Sequence, residues 1–214
     1  EPGGPHYWDF TEGPIDEIYR YEYIERENTI VWNSFKEATI AERSYRESEP
    51  GDYAYIMFDE VENLGRKVFG FWIINAQFDD PSTKFTLPII DFPAQINYGD
   101  SWTTTAEYPN TLLGIPAVYT EVQTFDVDAY GYLELPELGV LECLRINSVK
   151  DFSAAIDFNG TGTFTNIDRQ FARIYYWLVP GKGIAAQMVS EPSGNPVSEQ
   201  FNLATMFQRM FETN

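Results

Sequence analysis

The sequence predicts an all-β fold: antiparallel strands forming a strongly curved sheet, a half-closed barrel or a sandwich, with little helix. Three observations carry this. Apolar and polar residues alternate with period two along most of the chain, which is the strand period. Quartets suited to tight turns, such as Pro136-Glu137-Leu138-Gly139 and Pro180-Gly181-Lys182-Gly183, separate the alternating runs. The chain also holds 16 Phe, 14 Tyr and 5 Trp, side chains that pack well across a pleated surface.

Residues 1–14 hold three Pro and three Gly without periodicity. They predict an irregular N-terminal arm, pinned by Tyr7, Trp8 and Phe10, ahead of a single β domain over 15–214. Ile15–Glu25 reads as a strand with Tyr19, Tyr21 and Tyr23 on one face. Thr29–Phe35 reads as a strand, and Lys36–Glu47 as a strand or a short helix. Tyr53–Val61 alternates again, and a turn at Asn63-Leu64-Gly65 leads into Arg66–Gln77. That run is apolar on both faces, as in a central, doubly covered strand. Phe78–Tyr98 is apolar but broken by Pro81, Pro88 and Pro93, so it predicts an extended segment at an edge or across the core.

Ser101–Tyr108 alternates, Asn110–Pro116 connects, and Ala117–Asp128 runs into the longest hairpin, Phe125–Val149, which folds at Pro136–Gly139. In its first arm Phe125, Val127 and Ala129 share one face. Asp151–Asn166 is polar and rich in turns. Arg169–Val179 and Gly183–Glu191 form a second hairpin. Val197–Phe211 suits a strand, but Phe201, Leu203, Met206, Phe207 and Met210 also fit a helical stripe. The reading favours a short C-terminal helix or a coil packed on the sheet.

Length and charge narrow the function. A chain of 214 residues buries roughly 70% of its unfolded surface and needs no covalent staple. The formal net charge is −19, which disfavours nucleic acid and anionic membrane surfaces as partners. Such a surface suits an extracellular or saline setting, where a Debye length of ~8 Å or less screens it. No apolar run approaches the ~20 residues of a membrane span. The opening Glu-Pro-Gly-Gly-Pro reads as the start of an exported chain whose signal peptide has been removed, placing it outside the cell or in the periplasm.

Few residues invite chemistry. One cysteine, Cys143, lies between Leu141 and Leu144 and reads as a small buried apolar side chain. One histidine, His6, has no Cys or His to share a metal with. No nucleophile elbow or phosphate-binding glycine loop occurs. Carboxylate pairs such as Asp126/Asp128 and Glu134/Glu142 read as solvated strand faces, with acid–base work on a glycan as the alternative. Asp157–Gly162 reads as a tight turn, with a calcium loop as the alternative. No catalytic residue, metal site or cofactor is predicted. Candidate ligand contacts are the aromatics Tyr19, Tyr21, Tyr23, Trp72, Tyr175 and Trp177. The tyrosine stripe, ~14 Å long, is either a cross-strand ladder inside the fold or a stacking platform.

Two stretches carry a resemblance. Phe125–Arg145, with Val-Asp-Ala-Tyr-Gly-Tyr-Leu-Glu-Leu-Pro and Glu-Cys-Leu-Arg, and Tyr176–Ser190, YWLVPGKGIAAQMVS, resemble segments of uncharacterised secreted bacterial β-proteins. The pattern also resembles lipoprotein-carrier-like half-barrels, in which a curved antiparallel sheet covers an apolar cavity. The resemblance implies export and a non-catalytic protein holding an apolar or lipid-like small molecule. Two other readings follow from the residues themselves: a carbohydrate-binding module or acidic glycosidase using the tyrosine stripe on a glycan, and a structural subunit that self-associates through strand edges.

Overall fold

The computed structural model describes residues 1–49, 51–74 and 81–211. It is an all-β protein of two sheets. The sole helical element among the described residues is a 3-10 turn at Arg26–Asn28. Sheet A is a strongly curled half-barrel, and sheet B is a separate antiparallel sheet.

In chain order the strands are β1 (Gly3–Asp9), β2 (Tyr19–Glu25), β3 (Ile40–Arg46), β4 (Asp52–Val61), β5 (Gly65–Ile73), β6 (Ser82–Pro93), β7 (Ser101–Leu112), β8 (Ile115–Leu135), β9 (Gly139–Ile156), β10 (Thr165–Val179), β11 (Gly183–Ser190) and β12 (Ala204–Arg209). Sheet B runs β2-β3-β4-β5-β6. Sheet A runs β8-β9-β10-β11-β12, and both β7 and β1 pair with β8.

The hairpin turn at Pro136–Gly139 forms as the residues predict, with Leu135 opposite Gly139. Strand β8 spans 21 residues and changes neighbour halfway. Its first part pairs antiparallel with β7, from Leu112↔Ile115 to Ser101↔Asp126. Its second part pairs in parallel with β1, from Gly3↔Ala129 to Asp9↔Glu134. Between them a bulge sets Val127 and Asp128 against Ile146 of β9. An extra residue shifts the side-chain parity. The residues facing sheet B are therefore Gln123 and Phe125 before the bulge, then Tyr130 and Tyr132 after it. The single alternation expected through Phe125, Val127 and Ala129 breaks there.

The N-terminal arm is not irregular throughout, because Gly3–Asp9 forms β1. Proline and glycine content suggested a coil, yet β1 is an edge strand, where a missing N–H costs no ladder bond. Gly131 lets it approach: a Cβ there would lie 2.0 Å from the His6 carbonyl oxygen. Trp8 and Phe10 then pack on Trp177, at ring separations of 6.0 and 4.8 Å, while Tyr7 stays exposed and donates to Glu134.

Three other expectations change. Thr29–Phe35 is no strand: Val31, Phe35 and Ala38 are buried plugs that pack with Ala41, Tyr55, Met57 and Trp72 of sheet B. Lys36–Glu47 resolves as strand, beginning at Ile40. The C-terminal helix is replaced by β12, which pairs antiparallel with β11 from Ala186↔Arg209 to Ser190↔Ala204. A free strand edge offered ladder bonds that a short exposed helix lacks. Strand β5 is central, between β4 and β6, while Asn75–Gln77 of the predicted run lies outside the described residues. Strand β6 pairs with β5 alone, the edge position that its prolines predict.

The two sheets meet along β6. Phe85 and Phe71 reach Tyr108 at 5.9 and 5.5 Å, and Phe92 contacts Trp102, Phe125 and Tyr176. The Trp102 indole N–H donates to the Asp91 carbonyl at 2.9 Å. These aromatic clusters hold one side of the sandwich shut and leave the other side open.

Candidate binding cleft

On that open side the inner faces of the sheets enclose a cleft of about 2300 Å³. Sheet B contributes Tyr19, Tyr21 and Tyr23 from β2, Glu42 from β3 and Arg66 from β5. Sheet A contributes Tyr130 and Tyr132 from β8, Glu142 and Leu144 from β9, and Tyr176 and Leu178 from β10. Leu144, Tyr176, Leu178 and Ile96 are half-buried and form its apolar floor.

The stripe of β2 is therefore not a core ladder. Tyr21 is 56% and Tyr23 72% exposed. Tyr19 is half-buried, edge-on to Tyr53 at 5.5 Å. Although water reaches Tyr21 and Tyr23, protein stands on both sides of them. Partial burial raises the pKa of both phenols, and the charge of Glu42 adds to it; at Tyr21 the Gln208 side chain of β12 works the other way. The Gln208 side chain of β12 thus reaches the Tyr21 hydroxyl across the cleft.

Arg66 organises the polar part of the cleft. Its Nε lies 3.0 Å from both Asp91 carboxylate oxygens, and its Nη1 donates to Glu42 Oε2 at 2.7 Å. Burial alone would lower the arginine pKa, but the hydrogen bonds and charges of Asp91 and Glu42 prevail and raise it. One guanidinium thus stands between two carboxylates, and the cluster carries a net negative charge.

Of the predicted ligand contacts, Tyr19, Tyr21 and Tyr23 come together in the cleft, and the other three do not join them. Trp72 is buried under the 31–38 segment on the opposite face of sheet B. Trp177 is 4% exposed on the outer face of sheet A, beneath Trp8 and Phe10. Tyr175 lies on that same outer face, stacked on Phe201, with its hydroxyl donating to the Glu199 carbonyl at 2.8 Å. Alternation placed Tyr175 and Trp177 together correctly, but both faces of β10 are covered, and the cleft took Tyr176 instead. Sequence reasoning missed Tyr130 and Tyr132 as lining residues. Their alternate spacing was visible, but the bulge that turns them inward was not.

The other candidates have structural employment. Asp128 is buried in an ion pair with Arg145. Asp157 accepts the amides of Gly162, Thr161 and Asn159 at 2.6, 3.1 and 3.3 Å. Those bonds, led by Gly162, hold its carboxyl below the usual range, against the effect of burial. That is the geometry of a turn. Cys143 is buried, and burial pushes its thiol up to about 12. His6 tilts against Trp8 at 5.4 Å. No group of three His, Cys, Asp or Glu side chains is placed to hold a metal ion among the described residues. No described helix is long and apolar enough to cross a membrane.

No protein-family model, curated protein or solved structure matches this chain.

Proposed function

We propose that this chain is a non-catalytic exported binding protein whose ligand, an elongated molecule with an apolar body, lies in the cleft between the two sheets. The cleft carries this reading. Its volume of about 2300 Å³ exceeds the ~300–1,000 Å³ of a pocket for one compact ligand. The apolar floor of Leu144, Leu178, Tyr176 and Ile96 suits a chain-like body, and exposed tyrosines at the rim suit a polar end. Glu42 and Asp91 are held by Arg66, which supports a positioning role for them over acid–base work. The net charge of −19 supports an extracellular or periplasmic setting.

A glycan is the second reading. The exposure of Tyr21 and Tyr23 on one strand face favours it, because a flat ring with a hydroxyl edge complements the apolar face and hydroxyl rim of a sugar. Native mass spectrometry separates the two. The folded chain is titrated with decyl maltoside and with a β-1,4-linked glucose hexamer. Retention of decyl maltoside alone is expected. Retention of the hexamer without decyl maltoside would transfer the cleft to the glycan reading. Retention of neither would overturn a binding role for the cleft.

A further inference from the structure

The register of sheet B gives each tyrosine of β2 a different cross-strand partner. Tyr19 faces Arg46, Tyr21 faces Ser44 and Tyr23 faces Glu42. At the first position the protein supplies its own cation. The Arg46 guanidinium sits 5.6 Å from the Tyr19 ring centre and 4.6 Å from that of Tyr53. Further along the row the rings are more exposed, and the partner changes from a cation to a hydroxyl and then to an anion. Sheet A repeats the last arrangement on the opposite wall: Tyr132 faces Glu142, and both are exposed.

The cleft's arginines are committed elsewhere. Arg66 is held by Glu42 and Asp91, and Arg20 pairs with Glu47. Arg209 donates to the carbonyls of Phe10, Glu12 and Gly13. A ring face beside a carboxylate that no described cation pairs, as Tyr132 beside Glu142, attracts a positive charge through both its quadrupole and its neighbour. Glu42 beside Tyr23 is already paired, but the Arg66–Glu42–Asp91 cluster keeps one net negative charge. An anionic head, such as a carboxylate or sulfate, would meet repulsion from Glu142 and from the net charge of the Arg66 cluster.

Resting on the cleft reading above, we propose that the ligand carries a cationic head, an organic ammonium group, seated against Tyr21 and Tyr23 with Glu142 and the net negative charge of the Arg66–Glu42–Asp91 cluster as counter-charges. The apolar floor takes the remainder of the molecule. The order of preference is then cation over neutral over anion at equal chain length.

The test is isothermal titration of the full chain, below micelle formation, with decyltrimethylammonium, decyl maltoside and decyl sulfate. The cation is expected to bind about tenfold or more tightly than the sulfate, the equivalent of one strong cation–π contact. The double variant Tyr21→Leu/Tyr23→Leu keeps apolar surface but removes the ring faces. It should weaken the cation at least about fivefold more than it weakens decyl maltoside. Glu142→Gln should weaken the cation and spare decyl maltoside. Equal affinities for cation and sulfate, or cation binding insensitive to the tyrosine variant, would overturn the ammonium proposal while decyl maltoside binding kept the cleft reading. Failure of all three probes to bind would overturn both.

Discussion

Arg145 and Asp128 form a two-point ion pair in the covered outer face of sheet A, with Nε to Oδ1 at 3.0 Å and Nη2 to Oδ2 at 2.8 Å. Both residues are 8% exposed. The pair spans the bulge of β8: Asp128 is a bulged residue, and Arg145 lies opposite Ala129, the first residue after it. The same guanidinium stacks over Tyr175 at 4.9 Å and donates to the Glu1 carbonyl at 2.9 Å. The pair thus fixes the position at which β8 exchanges β7 for β1.

Removing one partner leaves an uncompensated buried charge. Arg145→Met or Asp128→Leu alone is expected to cost about 3–5 kcal/mol, and the double variant less than the sum. Urea unfolding of the four proteins measures this. Additive single losses would show that the two groups do not interact.

High pH should weaken the fold through its buried phenols. Burial, with the Asp52 hydrogen bond, raises Tyr55 to about 12. Burial raises Tyr176 to about 12 against the opposing effect of Gln123, and burial also raises Tyr108. In the unfolded chain a tyrosine ionises near about 10. Below that pH both states keep their protons and the contribution to stability is complete. As pH rises from about 10 toward 12, the unfolded chain loses protons first, so stability falls. Phenolate absorbance followed against pH should show these tyrosines ionising late, together with unfolding. The Cys143 thiol should follow the same logic, resisting an alkylating reagent near neutral pH until the chain is denatured.

Gly131→Ala tests the seat of the N-terminal strand. The added Cβ would meet the backbone of His6 at 2.0 and 2.5 Å, and β8 and β1 must part. A loss of about 1–3 kcal/mol is expected, with faster amide exchange confined mainly to Gly3–Asp9. Unchanged exchange there would mean that β1 does not depend on this close approach.

Period-two alternation, turn quartets and aromatic content made the strands of both hairpins legible in the sequence. So was the edge character of the proline-broken β6. Less legible was what a sheet's second face would meet. Tyr175 and Trp177 read as candidate ligand contacts because nothing local announces that Trp8 and Phe10, far away in sequence, return to cover Trp177 and that Phe201 stacks on Tyr175. Strand β12 read as a short helix or a coil because Phe201, Leu203, Met206, Phe207 and Met210 fit a helical stripe as well as a strand. The cleft was half visible. The β2 tyrosines were legible from spacing alone, whereas Tyr132 and Glu142 reach the same space through a bulge and a cross-sheet packing that no local pattern encodes.

The most direct test of the cleft as ligand seat compares stability with binding in Tyr21→Ala and Tyr23→Ala. Both rings are exposed, so each change should cost less than about 1 kcal/mol in urea unfolding, well short of the ~3–5 kcal/mol for an aromatic removed from a core. The double variant should bind decyl maltoside about tenfold or more weakly. Full-strength binding by that variant, or a core-sized loss of stability at either position, would contradict the account.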